Sequence, residues 1–141
     1  MDALFGNRVA GRAATVVAVL RVAAAIVFIV FGVGKFSQHG SEVASFEQYG
    51  LPSPDAFVYA IGVLEIGGGL LLLAGLLTRP AALALAGDMI GAIAVSGFGE
   101  GEIVSLTLAP ALLVVMLVLL WAGPGAAAID TRLLARRAGR R

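Results

Sequence analysis

Four long apolar runs, separated by short polar segments, dominate the pattern of hydrophobic and polar positions. They cover about residues 13–34, 57–77, 80–97 and 103–122. Each is close to the roughly 20 residues that an α-helix needs to cross a hydrocarbon core of ~30 Å. The pattern predicts an all-α integral membrane protein, an antiparallel four-helix bundle that forms a single membrane domain.

The polar segments between the runs predict the remaining elements. The outer loop at 36–56 is the longest, and residues 41–49 within it are expected to form a short interfacial helix that stops at Gly50. Asp55 is a predicted N-cap for the second span. The basic tail at 126–141 is predicted to include a short amphipathic helix on an anionic membrane surface.

Composition and charge narrow the class of protein. Hydrophobic residues make up 60% of the 141 positions and charged residues 13%, against about a quarter charged in soluble domains. The chain has no cysteine, which excludes thiol chemistry within it. Arginines cluster at the two termini and at Arg79, whereas acids cluster in the other two connections. The positive-inside rule therefore places both termini in the cytoplasm, and the first run is interpreted as a retained span rather than a signal peptide.

Charged side chains inside the spans are the main functional candidates, because they are costly in hydrocarbon. They are Arg21, Lys35, Glu65 and Asp88, whose formal charges cancel. Arg21 and Asp88 both lie roughly 12 Å from the cytoplasmic boundary at 1.5 Å per residue. We expect an intramembrane polar network in which Arg21 holds Asp88 and Glu65, while Lys35 reaches Glu65 from the outer end.

Small residues and one aromatic residue share the helix faces of these charges. The candidate pocket lining is Phe28, Gly32, Gly68 and Gly69. Two interpretations of the four charges stay open. They either hold the helices in register, or they form a polar site for a quinone headgroup, a proton or a small solute. A partner protein's charge could also complete the site.

Other polar residues are weaker candidates. His39 is the single histidine, so no metal site is predicted and we interpret it as a structural or solvated residue. Glu100 and Glu102 are expected to form a solvated face. The basic tail adjoins a span and lacks interleaved aromatic residues, so a nucleic-acid partner is not expected.

Several motifs together resemble the DoxX family of small four-span bacterial membrane proteins. They are Arg21, Gly32-Val33-Gly34-Lys35, Phe46-Glu47-Gln48-Tyr49-Gly50-Leu51-Pro52, the stretch from Glu65-Ile66-Gly67-Gly68-Gly69 to Thr78-Arg79, and Ile129-Asp130. The resemblance implies a multi-pass protein of the bacterial inner membrane. It also implies a relationship to the small membrane subunit of a thiosulfate:quinone oxidoreductase. It carries over no defined set of catalytic residues.

The sequence therefore favours a membrane subunit of an oxidoreductase complex, accessory rather than catalytic, with a polar intramembrane pocket that binds quinone. Its expected partners are the lipid bilayer, soluble redox proteins and a second copy in a homodimer. No cofactor is expected within the chain itself. The alternatives are a non-catalytic scaffold or assembly protein, and a protein that binds a small solute or a lipid.

Overall fold

The computed structural model describes residues 5–138 and is all-α over that part of the chain. We number its helices α1 (Gly11–Ser37), α2 (His39–Gln48), α3 (Pro54–Ala74), α4 (Thr78–Glu100), α5 (Ile103–Ala122) and α6 (Ile129–Ala138). Among the described residues, α1, α3, α4 and α5 are long and apolar enough to cross a membrane. The predicted all-α four-helix membrane fold is confirmed. The cytoplasmic placement of both termini stays a prediction.

The bundle is built from two pairs of helices. α1 packs mainly against α3, and α4 packs mainly against α5. The turn at residues 75–77 joins the pairs on one side, whereas α1 and α5 touch only sparsely. The largest fully buried apolar side chains mark the core between the pairs: Phe28, Leu72, Leu85, Met116, Leu119 and Val58. Many other large apolar side chains are exposed, as expected for helices that face lipid.

Glycines set the close approach of α1 to α3. A methyl group on Gly69 would lie 3.0 Å from the backbone oxygen of Ala25, and one on Gly32 would lie 2.9 Å from the backbone nitrogen of Ile66. Both distances are too short for a real side chain, so only glycine fits at these crossings. The two helices can therefore bury a polar group between them without lipid access.

Two helices contain an irregularity. α4 widens into a π-helical turn at Ile93–Gly97, and α5 contains Pro110, which cannot donate a backbone hydrogen bond. The π turn lies on the outer half of the bundle, where residues 95 and 96 face the interior. These irregularities occur where α4 and α5 border a cavity.

The predicted outer loop is mostly helical. α2 occupies residues 39–48 of it, and α3 begins at Pro54, three residues before the predicted span. The predicted N-cap at Asp55 is wrong, because Asp55 lies in the first turn of α3 and its carboxylate binds His39 instead. At the other end of the chain, residues 139–141 of the predicted basic tail, including Arg140 and Arg141, lie outside the described residues.

Candidate functional site

Lys35 is the centre of a charged cluster at the α2 end of the bundle. Its Nζ lies 3.4 Å from Glu65 Oε2 and 3.6 Å from Glu42 Oε2. The three side chains form a gradient of exposure, from 34% at Glu42 through 11% at Lys35 to 5% at Glu65. The sequence predicted the ion pair of Lys35 with Glu65, and the structure contains it. Glu42 is an additional member that helix periodicity could not indicate, because it lies on a separate helix.

Asp88 adds a second buried acid to this cluster. Its carboxyl group lines the same cavity as Glu65 and Lys35, and its Oδ2 is buried without a hydrogen-bond partner. Taken as ionised, Glu42, Glu65 and Asp88 exceed the single charge of Lys35 by two. The cluster therefore has more acid than base, unlike the balanced set expected from the sequence.

A cavity of about 750 Å³ lies beside this cluster, between the pair formed by α1 and α3 and the pair formed by α4 and α5. Lys35, Glu65 and Asp88 contribute its polar wall, together with Glu42 and Tyr49 of α2. Aromatic and aliphatic side chains form most of the rest, including Phe28, Phe31, Phe46, Phe57, Leu108 and Leu112. Its size falls within the roughly 300–1,000 Å³ typical of small-molecule sites.

Two buried acid oxygens at this cavity, Glu65 Oε2 and Asp88 Oδ2, accept no hydrogen bond of good geometry. Glu65 Oε2 is compensated by the ion pair with Lys35 Nζ at 3.4 Å, whereas Asp88 Oδ2 has no such partner. Buried polar atoms are rarely left without a hydrogen bond, since an unpaired group costs roughly 1–3 kcal/mol. These oxygens give the cavity a polar end that can bind a hydrogen-bond donor or a proton.

The structure separates the four residues of the predicted pocket lining. Phe28 lines the cavity. Gly32, Gly68 and Gly69 do not: Gly32 and Gly69 lie in the α1–α3 contact, and Gly68 lies against Leu85 of α4. Their small size serves helix packing, because a side chain at any of them would overlap the neighbouring helix.

The predicted pairing of Arg21 with Asp88 and Glu65 is wrong. The Arg21 guanidinium points to the opposite end of the bundle and donates hydrogen bonds to the backbone oxygens of Leu72 (2.6 Å), Leu73 (3.3 Å) and Ala126 (3.3 Å). α3 ends there in a left-handed Gly75, where the N–H groups of Gly75 and Leu76 bond to the oxygens of Leu72 and Leu71. Arg21 adds its hydrogen bonds at this turn and places its positive charge at the negative end of the helix.

Asp130 is the acid that accompanies Arg21, and the sequence interpretation did not assign it this role. Its carboxylate accepts hydrogen bonds from the backbone N–H groups of Leu77 (2.9 Å) and Thr78 (3.0 Å), and its own N–H donates to Gly75 O. It thereby caps the start of α4, which has no local cap. The missing cap at residues 77–78 was a signal that a distant residue supplies one.

α2 covers one end of the cavity and is attached by polar contacts. His39 Nε2 lies 2.7 Å from Asp55 Oδ1, its ring stacks on Tyr59, and Gln48 donates to Glu100 Oε2 at 3.0 Å. The hydrogen bond with Asp55 raises the pKa of His39. The protonated form is thus favoured in the folded chain. This attachment is strongest below the ordinary histidine pKa of about 6.5 and weakens as the pH rises through the raised value.

Glu102 was expected to form part of a solvated face; it is half-buried and also has a capping role. Its carboxylate accepts hydrogen bonds from Val104 N (3.1 Å) and Ser105 N (2.7 Å) and caps α5 beside the cavity. Burial alone would raise the pKa of Glu102, but the hydrogen bonds from Ser105 and Val104 outweigh it and the pKa is lowered. An acid directly before a long apolar run is a recognisable N-cap signal. Within residues 5–138 no three acidic or histidine side chains are grouped to hold a metal ion.

The fold and the site define a small polytopic membrane protein with an acid-rich cavity in one half of its bundle. The DoxX family profile matches residues 16–97, and the chain belongs to this family. It is 36% identical to the uncharacterized membrane protein Rv3486 of Mycobacterium tuberculosis, over 83% of this chain and 80% of that protein. It is 39% identical to CatD of Bacillus subtilis, whose name provisionally assigns it to the oxidoreductases, over 52% of this chain and 54% of that protein. No solved structure matches the chain significantly.

Proposed function

We propose that this chain is the membrane subunit of an oxidoreductase complex and binds a quinone in its cavity. The observation that carries the proposal is the cavity itself, in which an amine and two incompletely paired acids face an aromatic and aliphatic wall. The oxidoreductase assignment in the name of CatD supports the redox part of the proposal. The chain contains no cysteine, so electrons would come from a partner protein.

The cavity residues fit a quinone by their chemistry. Lys35 Nζ is a donor for a carbonyl oxygen, and Glu65 and Asp88 can each hold a proton at a carboxyl oxygen. Phe28, Phe31 and other apolar lining residues provide a surface for a flat ring and exclude water. A bound quinone would supply two-electron chemistry coupled to two protons. The chain's part is to bind the ring, orient it and exchange those protons.

Quinone retained on the purified chain tests this function. The chain is reconstituted in nanodiscs with a ubiquinone analogue that has a decyl tail, and mass spectrometry counts quinone per chain. Leu108→Trp narrows the cavity, whereas the matched control Leu117→Trp changes a lipid-facing residue of the same helix. We expect bound quinone to fall at least about tenfold in Leu108→Trp, equivalent to about 1.4 kcal/mol, and not in the control.

The same assay contains the result that would contradict the proposal. Equal quinone in both tryptophan variants would mean that the quinone dissolves in the lipid and does not occupy the cavity. Lys35→Met tests the polar side of the cavity, as Leu108→Trp tests its volume. It removes the proposed hydrogen-bond donor and should also lower the amount of quinone retained per chain. The matched control there is Glu47→Gln, which changes an exposed charge that does not line the cavity.

The excess of acids favours a second candidate function, which is the binding of a cationic small solute. Four carboxylates, those of Glu42, Glu65, Asp88 and Glu102, against one amine give the cavity a negative formal charge, and aromatic faces attract organic cations. Tetraphenylphosphonium in place of the quinone analogue distinguishes the two functions. Saturable cation binding that Leu108→Trp abolishes, without quinone binding, would favour the solute.

A further inference from the structure

The cavity and its charged cluster lead to an inference about how protons reach the buried acids. We propose that Glu42 and Lys35 form a proton relay that connects Glu65 and Asp88 to the α2 side of the membrane. This inference rests on the proposed function, since it names the residues that would supply and remove the protons of that site. It also assigns the side of the membrane on which the protons are exchanged.

The first argument is the continuous series of polar groups. Lys35 Nζ lies between the Glu42 and Glu65 carboxylates, at 3.6 Å and 3.4 Å, and Glu65 in turn adjoins Asp88. The exposure of these side chains decreases steadily from Glu42 inward. A proton carrier must reach water at one end and the buried acid at the other, and this series does both.

The proton balance of one transfer is simple. Lys35 gives one ammonium proton to Glu65 Oε2 and takes one from the protonated carboxyl group of Glu42. One O–H bond breaks at Glu42, one forms at Glu65, and Lys35 ends as the ammonium group with which it began. Asp88 lines the same cavity as Glu65 and is the next acid that can take the proton.

The second argument is the closure of the opposite end. Among the described residues, the buried charged side chains there are Arg21, Arg79 and Asp130. Arginine has donors but no acceptor and stays charged, so neither arginine can carry a proton, and both repel one. The two carboxylate oxygens of Asp130 already accept backbone N–H groups. In the described part of the chain, this end therefore offers no free carboxylate to continue the series.

The other titratable groups around Glu65 do not provide a competing route. Tyr49 of α2 lines the cavity, and Glu102 before α5 borders it, but the carboxylate of Glu102 is engaged in capping. His39 lies outside the cavity lining and faces Asp55. Glu42 is the acid that combines partial exposure with contact to Lys35.

Time-resolved infrared spectroscopy of the whole chain in nanodiscs, without quinone, tests the relay. A caged proton is released by light, and the carboxyl stretching band of Glu65 is followed; the band is identified by its loss in Glu65→Gln. Should that variant not fold, Glu65→Asp identifies the band by a shift in frequency. We expect Glu42→Gln and Lys35→Met to slow protonation of Glu65 by roughly a hundredfold, the lower limit for a positioned proton carrier.

Two control variants separate a relay from a movement of α2. Glu47→Gln removes an exposed charge of the same helix, and Gln48→Leu removes a different attachment of that helix, to Glu100. Neither should change the rate. An unchanged rate in Glu42→Gln, an equal slowing in Gln48→Leu, or a Glu65 band that does not respond to bulk pH would each overturn the relay. Because no quinone is present, these outcomes are independent of the quinone-binding assay.

Discussion

At the scale of single residues, two buried cations of the bundle are compensated in different ways. Lys35 is neutralised by carboxylates, whereas the two terminal nitrogens of the Arg21 guanidinium donate to three backbone carbonyl groups. The planar guanidinium has five donors in a fixed fork, which suits several carbonyl groups converging at a helix end. The two cations therefore have separate tasks, and only Lys35 contributes to the cavity.

Replacing Arg21 should destabilise the fold through its carbonyl partners. Arg21→Leu leaves the oxygens of Leu73 and Ala126 buried without this donor, and we expect a loss of about 3 kcal/mol in the free energy of unfolding. The measurement is a denaturation midpoint in detergent micelles. Arg12→Leu, which changes an exposed arginine of the same helix, is the control and should have little effect.

A double-mutant comparison separates this explanation from the pairing that the sequence suggested. Combined with Asp88→Asn, the Arg21 change should be additive within about 0.5 kcal/mol, because the two sites share no partner. Combined with Asp130→Asn it should be strongly non-additive, since both residues hold the same turn. Coupling to Asp88 in place of Asp130 would refute the observed arrangement.

At the scale of helices, three successive glycines of α3 have unequal tasks. Gly68 faces Leu85 of α4, Gly69 faces the backbone of α1, and Gly67 has open space around it. Composition alone makes the three positions look alike. Helix geometry separates them, because successive residues point about 100° apart and only two of the three face a neighbouring helix.

Leucine substitutions at Gly69 and Gly67 should have different effects on the stability of the fold. Gly69→Leu forces α1 and α3 apart and should cost roughly 1–3 kcal/mol. Gly67→Leu, the matched control, should be neutral or slightly stabilising because leucine has the higher helix propensity. Thermal denaturation in nanodiscs measures both. Equal stability of the two variants would show that the α1–α3 contact does not depend on close packing at Gly69.

At the scale of the whole molecule, charge asymmetry determines how the bundle should lie in the membrane. Arg21, Arg79 and the arginines of α6 lie at one end, and the acids of α2 and of the α4–α5 connection lie at the other. The positive-inside rule then predicts that α6 lies in the cytoplasm and α2 outside. With the relay, this orientation would make the outer side the source of protons for the cavity.

Single introduced cysteines test this orientation, since the natural chain has none. We expect a membrane-impermeant maleimide added to spheroplasts to label Glu47→Cys on α2 and not Arg132→Cys on α6. Permeabilised membranes should label both, which controls for reactivity. Labelling of Arg132→Cys alone in spheroplasts would show that the chain has the opposite orientation. Labelling of both would show that the termini do not face the cytoplasm together.

The sequence by itself determined the all-α four-span fold and identified the charged residues that are costly to bury in a membrane. Hydrophobic run length reports directly on membrane crossing, and a charge within such a run is conspicuous wherever it points. For this reason Arg21, Lys35, Glu65 and Asp88 could all be identified in advance. The ion pair of Lys35 with Glu65 also followed, because depth along two adjacent helices restricts which charges can meet.

Only the tertiary structure decided how the charged residues were distributed. Depth estimates could not show that Arg21 points to the end of α3, because they give height in the membrane and not direction around a helix axis. Asp130 and Glu42 act on elements far from them in sequence or outside the spans, so no local periodicity signals them. The cavity arises from the sparse contact between α1 and α5, which is a property of packing between helices and is encoded in no single stretch of the chain.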